Sequence, residues 1–250
     1  MDLLSTHTKP QVVAVIAAGG SGSRLGHAGG KQLLELSGKS VLAWSIDAVA
    51  SASSVKSIVV ACDPTRVQEY EKKVKPELFT DKSVKFVAGG QTRQESVGNA
   101  LEAIGDDEQY ILVHDGARPL VKPEEIDAAC ETLVHYHRHG LNEDEPIAAI
   151  FAQPSVDTVK EATEDGHVIR TLNRSDLWTI QTPQIFVASV LKTAYNFAEA
   201  TGYQGTDDAS LAEHLGKEVQ LIATSRDNIK ITLKEDVRLA EFLLSRNYKR

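Results

Sequence analysis

Residues Val12 to Lys31 read VVAVIAAGGSGSRLGHAGGK, and the reading of this stretch decides the fold. Val12 to Ala18 is an unbroken run of β-branched and small apolar residues, the pattern of a central strand covered on both faces. Such a strand needs helices above and below it, which sets the class as α/β. The run breaks into Gly19, Gly20, Gly22 and Gly26. Glycine lacks a Cβ, so this loop reaches positive φ and aims backbone N–H groups together at an anion. Arg24 lies inside the loop and Lys31 just beyond it. The stretch therefore predicts a phosphate cradle, with Ala17, Ala18, Gly19 and Gly20 at its entry.

Two familiar glycine loops do not fit. A Walker loop ends in Gly-Lys-Ser/Thr, and here Gln32 follows the lysine. The dinucleotide pattern begins correctly at Gly20 and Gly22, but its third glycine falls on Leu25, one position before Gly26. The acid expected about 20 residues on would be Asp47, inside the helical pattern VLAWSIDAVA. A nicotinamide oxidoreductase is disfavoured, and a titration with NAD(H) tests it.

With 42% hydrophobic and 25% charged residues in a 250-residue chain, the composition is that of an ordinary globular protein. A formal net charge of −8 argues against a general nucleic-acid binder, which carries a basic face. MDLLSTHTKP has no charged and apolar leader pattern and no run is long enough to span a bilayer, so the expectation is a cytoplasmic protein without membrane partners. Cys62 and Cys130 have no companion ligand motif and read as two buried thiols.

Strand-like and helix-like segments then alternate, predicting a single domain over residues 1–250 with a mostly parallel sheet. Expected helices cover 41–51, 64–74, 91–104 and 123–139, and expected strands 58–61, 84–88 and 110–113. His135, His137 and His139 point in different directions on a helix and read as solvated polar residues. Residues 151–175 break the rhythm: two β-rich runs, 156–161 and 167–172, flank the polar turn Thr163 to Gly166 and describe a hairpin. A lone ribbon is marginal in water, so it packs either on its own domain or on something else.

Further constellations carry chemistry. In AGGQTRQESV, residues 88–97, Gly89 and Gly90 permit close backbone approach, Ser96 offers a hydroxyl, and Arg93 either contacts a ligand or holds the loop. In VHDGARP, residues 113–119, Asp115 leaves an apolar strand into a turn at Gly116. It reads as a magnesium-directed carboxylate or as a turn aspartate, with Arg118 in the site wall or on substrate. Lys230, between Ile229 and Ile231 on an expected strand, calls for a partner.

AAGGSGSRLG followed by GKQ resembles the opening signature of nucleotidyltransferases that activate polyol phosphates. With TLNRSDLWTIQTPQIF at 171–186, GTDDAS at 205–210 and RDNIKIT at 226–232, the chain resembles the 2-C-methyl-D-erythritol 4-phosphate cytidylyltransferase family from about residue 11 onward. Gly30 stands where that family often has proline. The resemblance implies a Rossmann-like nucleotidyltransferase domain and the joining of CTP to methylerythritol phosphate with a divalent cation, Mg²⁺, held near Asp115. It also implies a homodimer clasped by the 151–175 arm. Cytosine would sit against Gly90, Gln91 and Ser96, although some relatives carry an acid at position 91. Arg24 and Lys31 would stabilise charge on the triphosphate, and Arg174 and Lys230 would orient the acceptor. Thr158 and Thr182 are weaker candidates for binding it. Ribitol 5-phosphate cytidylyltransferase shares much of this pattern and remains an alternative, as does a nucleotide-binding regulatory domain without turnover.

Overall fold

The computed structural model describes residues 10–19, 31–139 and 146–247, with the side chains of Lys31, Arg138, His139 and Asn247 left out. Gly20, Gly22, Arg24, Gly26 and Gly30 of the glycine loop, the Lys31 side chain, the His139 side chain and the acidic run 143–145 lie outside it. The elements in chain order are β1 (Val12–Ala17), β2 (Glu35–Leu36), β3 (Lys39–Ser40), α1 (Val41–Ala50), β4 (Val55–Cys62), α2 (Val67–Val74), β5 (Ser83–Ala88), α3 (Arg93–Glu102), β6 (Tyr110–Asp115) and α4 (Pro123–His139). They continue with β7 (Ala148–Pro154), β8 (Lys160–Ala162), β9 (Val168–Thr171), β10 (Trp178–Val187), α5 (Ala188–Thr201), α6 (Asp208–His214), β11 (Val219–Ala223) and α7 (Lys234–Asn247).

β1 shows why the sheet is sandwiched. Its residues alternate between two cores, because successive side chains of a strand point to opposite faces. Val12, Ala14 and Ile16 pack with Leu42, Ile46, Ile126 and Leu133 from α1 and α4. Val13 and Val15 pack with Val97, Leu101, Leu191 and Tyr195 from α3 and α5. Each fully buried Val, Ile or Leu contributes roughly 1.5–3 kcal/mol, so this one strand ties both helical layers together. Among the described residues the main sheet has seven strands in the order β11-β7-β10-β6-β1-β4-β5. All neighbours are parallel except β10, which runs antiparallel to β6 and β7.

Register brings the site together. Ala17 lies opposite Ala61 on one side and Asp115 on the other, and Cys62 lies opposite Ala88. The carboxyl ends of β1, β4, β5 and β6 therefore finish level. The chain leaves β1 towards β4 and returns on its other side as β6, and open α/β sheets bind ligands at such a reversal.

The expected elements form with shifted ends. The strand at 58–61 extends to Val55–Cys62, and the helix at 91–104 starts only at Arg93 because Thr92 caps it, its side chain accepting from Glu95 N. Lys230 lies outside any strand, in extended chain before α7, where Ile231 N bonds Ala117 O at 2.8 Å. Residues 151–154 belong to the core strand β7, with Phe151 and Ala152 fully buried, so the arm begins after Pro154. Its paired part is shorter than the two β-rich runs, Lys160–Ala162 against Val168–Thr171, closed at Thr163–Gly166 with Gly166 at φ 87°. Cys62 and Cys130 are free and buried, and burial pushes both thiols up to about 12. Among the described residues no helix is long and apolar enough to cross a membrane.

Candidate active site

Asp115, the last residue of β6, is 6% exposed and faces fixed positive charge. Arg93 Nε donates to its Oδ1 at 3.0 Å, Lys230 Nζ lies 2.7 Å from Oδ2, and Arg118 Nε lies 3.6 Å from Oδ2. These cations come from three parts of the chain: the start of α3, the turn after β6 and the segment before α7. Burial alone would raise the Asp115 carboxyl; Arg93, Lys230 and Arg118 outweigh it and hold the group well below the usual carboxylate range. The partner that Lys230 called for is Asp115. Arg118, 8% exposed, donates through Nη1 to Asn228 O at 2.8 Å, which fastens the Lys230 segment to the turn after β6.

The backbone at Asp115 is held from β10. Asp115 N–H donates to Thr182 Oγ1 at 3.0 Å, and Thr182 Oγ1 lies 3.1 Å from His114 Nδ1. His114 Nε2 lies 3.0 Å from Arg118 O, and a carbonyl only accepts, so the proton sits on Nε2 and Nδ1 accepts from the Thr182 hydroxyl. Complete burial lowers the His114 pKa to about 4, which keeps the ring neutral and this direction of bonding intact. Asn228 closes the ring by donating to Thr182 O at 2.9 Å.

Opposite this wall lies the turn after β5. Gly89 N bonds Cys62 O at 2.7 Å, and a Cβ on Gly89 would come within 2.9 Å of that same oxygen. A Cβ on Gly90 would meet Glu95 Cβ at 2.3 Å, where Glu95 folds back to accept from Gln91 N at 2.7 Å. Ser96 is 2% exposed; its hydroxyl donates to Thr92 O at 2.8 Å and accepts from Gly90 N at 3.0 Å. Its proton thus serves the backbone, and Ser96 shapes the turn instead of offering a free donor. Gly116 packs so closely that a Cβ would lie 2.9 Å from Leu42 Cδ1, and its N–H bonds Ala17 O at 2.9 Å.

These walls enclose a cleft of about 660 Å³ lined by Ala17, Gly19, Gly90, Gln91, Asp115 and Lys230 among others. A larger groove of about 800 Å³ lies between α3 and α5, but its lysine, Lys192, is tied to Asp106 and to backbone carbonyls, so no free cationic centre forms there. Asp47, the ribose candidate of a dinucleotide site, sits in α1 paired with Lys39 and bonded to Phe79 N, and it does not line the cleft. Ala17, Gly19, Gly90, Gln91, Ser96, Asp115 and Lys230 line the cleft; Ala18 lies between two of them in sequence, and Gly116, Arg118 and Thr182 stand behind the lining, in contact with Ala17 or Asp115. Thr158 and Arg174 do neither: both are exposed on the arm, and Arg174 Nη1 donates to Val156 O at 2.8 Å. Sequence reasoning assigned nothing to His114, Asn228 or Tyr195 and little to Asp208. The available signals were a histidine inside an apolar strand and the Asp207-Asp208 doublet opening α6, where Asp207 forms a capping box with Ser210.

Fixed cations and backbone turns around one carboxylate suit the handling of polyphosphates, and the class this arrangement defines on a switch-point α/β sheet is that of the nucleotidyltransferases. The family model for 2-C-methyl-D-erythritol 4-phosphate cytidylyltransferase matches residues 12–246, and the chain belongs to that family. A relative of that name from Pelotomaculum thermopropionicum is 41% identical over 94% of this chain and 94% of its own. One from Prochlorococcus marinus is 39% identical over 92% of this chain and 96% of its own. The crystal structure of 4-diphosphocytidyl-2C-methyl-D-erythritol synthase from Anaerococcus prevotii matches with a TM-score of 0.78 at 27% identity, covering 95% of this chain and 97% of that one. The Francisella tularensis 2-C-methyl-D-erythritol 4-phosphate cytidylyltransferase gives 0.75 at 29% identity, with 93% and 99% covered.

Proposed function

We propose how the cleft carries out the activity of this family, the reaction of CTP with 2-C-methyl-D-erythritol 4-phosphate to give 4-diphosphocytidyl-2-C-methyl-D-erythritol and pyrophosphate. The observation that carries the assignment is Asp115, level with Ala17 at the end of β1, met by Arg93, Lys230 and Arg118. A phosphate monoester has a second pKa of about 6 and is largely dianionic near neutral pH, so its oxygen attacks the α-phosphorus without an enzymic base. The new P–O bond forms as the bond to pyrophosphate breaks. What the protein must supply is charge and position, because two anions have to be brought together.

In this scheme Ala17 to Gly20 present backbone to the triphosphate, and Arg24 and Lys31 stabilise the charge that builds on it. Gly90 and Gln91, on the turn shaped by Ser96, receive the cytosine. Lys230 orients the acceptor phosphate from its place beside Asp115. Thr158 and Arg174 reach that phosphate only from a second subunit: they stand clear of their own cleft, and the arm exposes Val156, Val168 and Ile169 at 52%, 59% and 57%. An apolar ribbon of this kind gains by packing on a twofold partner. The homodimer is therefore part of the proposal, as is a cytoplasmic location.

Among the described residues no group of three or more His, Cys, Asp or Glu side chains forms a metal site. The donor set fits instead a magnesium ion that arrives with the triphosphate, since such ions keep several waters and take one or two protein carboxylates. Asp115, firmly ionised, is the group that would hold it. Bound there, the ion would neutralise charge on the phosphates.

The test is pyrophosphate release from CTP or ATP with methylerythritol phosphate or ribitol 5-phosphate. Turnover is expected with CTP and methylerythritol phosphate, and poor turnover with ATP, because polar groups matched to cytosine are left unpaired by a purine. Preference for ribitol 5-phosphate, or equal use of ATP, overturns the assignment.

A further inference from the structure

The Nε/Nη2 edge of an arginine ordinarily grips one carboxylate through both oxygens. At Arg93 that edge is divided: Nε donates to Asp115 Oδ1 at 3.0 Å, while Nη2 donates to Asp208 Oδ2 at 2.7 Å. Asp208 is fully buried at the start of α6, and its Oδ1 accepts from the Tyr195 hydroxyl of α5. α6 is itself pinned to β10, where Gln184 donates to Asp207 Oδ2 at 2.7 Å and accepts from Ala209 N at 3.0 Å. Asp208 therefore has a fixed position relative to the strand beside Asp115.

We infer that Asp208, steadied by Tyr195, is a positioning residue for the transfer: it holds one arm of the Arg93 fork and prevents Arg93 from closing on Asp115 with both donors. The inference rests on the roles proposed above. Its consequence concerns Lys230, which lies 2.7 Å from Asp115 Oδ2. If Arg93 took both oxygens of Asp115, it would compete with Lys230 for Oδ2 and turn the carboxylate from the cleft. With the fork divided, Arg93 takes Asp115 Oδ1 and leaves Oδ2 to Lys230 and Arg118, and Arg93, 30% exposed in its side chain and lining the cleft, keeps its remaining N–H groups for phosphate oxygens.

A double-mutant cycle tests this, with kcat measured under single-turnover conditions. Asp208→Asn is expected to lower kcat roughly tenfold or more with little change in KM for CTP, as misplacement of a reacting group does. Tyr195→Phe, which leaves both charges in place, is expected to lower it less. In an Arg93→Ala background neither change should lower kcat further, because Asp208 acts through Arg93. Asp208→Asn should also raise the Tm of Arg93→Ala, since it removes a buried carboxylate left without its cation. An unchanged kcat for Asp208→Asn, or the same fold loss in both backgrounds, overturns the inference. Should Asp208→Asn not fold, the Tyr195→Phe cycle decides alone: equal losses with and without Arg93 overturn it. A wild-type protein that releases no pyrophosphate from CTP and methylerythritol phosphate would instead overturn the reading on which the inference stands.

Discussion

His114 shows how much of the site depends on a fully buried group. Its ring is neutral because burial lowers its pKa to about 4 from 6.5, and only the neutral ring can accept from Thr182 while donating to Arg118 O. The unfolded chain takes up a proton near pH 6.5 and the native ring only near 4, so between these values the unfolded state binds more protons. Stability is then fully present above about 6.5 and falls as pH drops towards 4, by about 3 kcal/mol in all. Denaturant titrations across that window should show a flatter pH dependence for His114→Gln; equal slopes in variant and wild type would count against a buried neutral histidine. Asp115, with its carboxyl held low, contributes stability that is lost only at still lower pH. For Arg24→Ala and Lys31→Ala the expected outcome is a fall in kcat on the order of 10²-fold or more with Tm little changed. Retention of near wild-type turnover in both would assign the cradle to another ligand.

Among elements, the hairpin arm carries the most consequence per residue. Its short ladder, Lys160–Ala162 against Val168–Thr171, is reinforced only by exposed side-chain contacts, Lys160 to Thr171 and Arg170 to Glu161, and an exposed ion pair contributes at most about 1 kcal/mol. If the arm completes the partner's cleft, mixing inactive Arg174→Ala subunits with inactive Lys31→Ala subunits should restore turnover, since each mixed dimer has one intact pocket and one doubly damaged. No recovery, with mixed dimers verified by mass, would mean that Arg174 has no role across the interface. The arm was legible in the sequence because a polar turn between two β-rich runs interrupts a βα rhythm. Its start was misjudged because Phe151 and Ala152 suit a core strand as well as a ribbon. Lys230 was placed on a strand for a related reason: isoleucines on both sides give a β pattern, but Ile229 and Ile231 serve packing against α7, and the chain there follows Ala117. Its pairing with Asp115 across 115 residues of sequence leaves no local trace. The same holds for Asp208 and Tyr195, whose meaning comes only when α5 and α6 bring them behind Arg93.

The whole molecule is built so that one strand joins its outer and inner parts. β10 pairs with β7 from Trp178 opposite Pro154, at the root of the arm, to Phe186 opposite Ala148, and on its other edge it pairs with β6. It carries Thr182 against Asp115 and Gln184 against Asp207. The arm thus leaves and re-enters the sheet at two residues that are already neighbours, with Ser155 N bonded to Leu177 O at 2.9 Å. A segment whose ends meet is a cassette: removing it leaves no gap to bridge. A chain in which a short glycine-containing turn joins Pro154 to Trp178 should therefore keep its far-ultraviolet dichroism, sediment as a monomer and still bind CTP, while losing transfer to methylerythritol phosphate. Loss of the folded spectrum would show that the arm is needed for the sheet itself. The same geometry makes the arm exchangeable: if the arm clasps a second subunit, the choice of partner becomes a property that can be transplanted from one chain to another without rebuilding the nucleotide site.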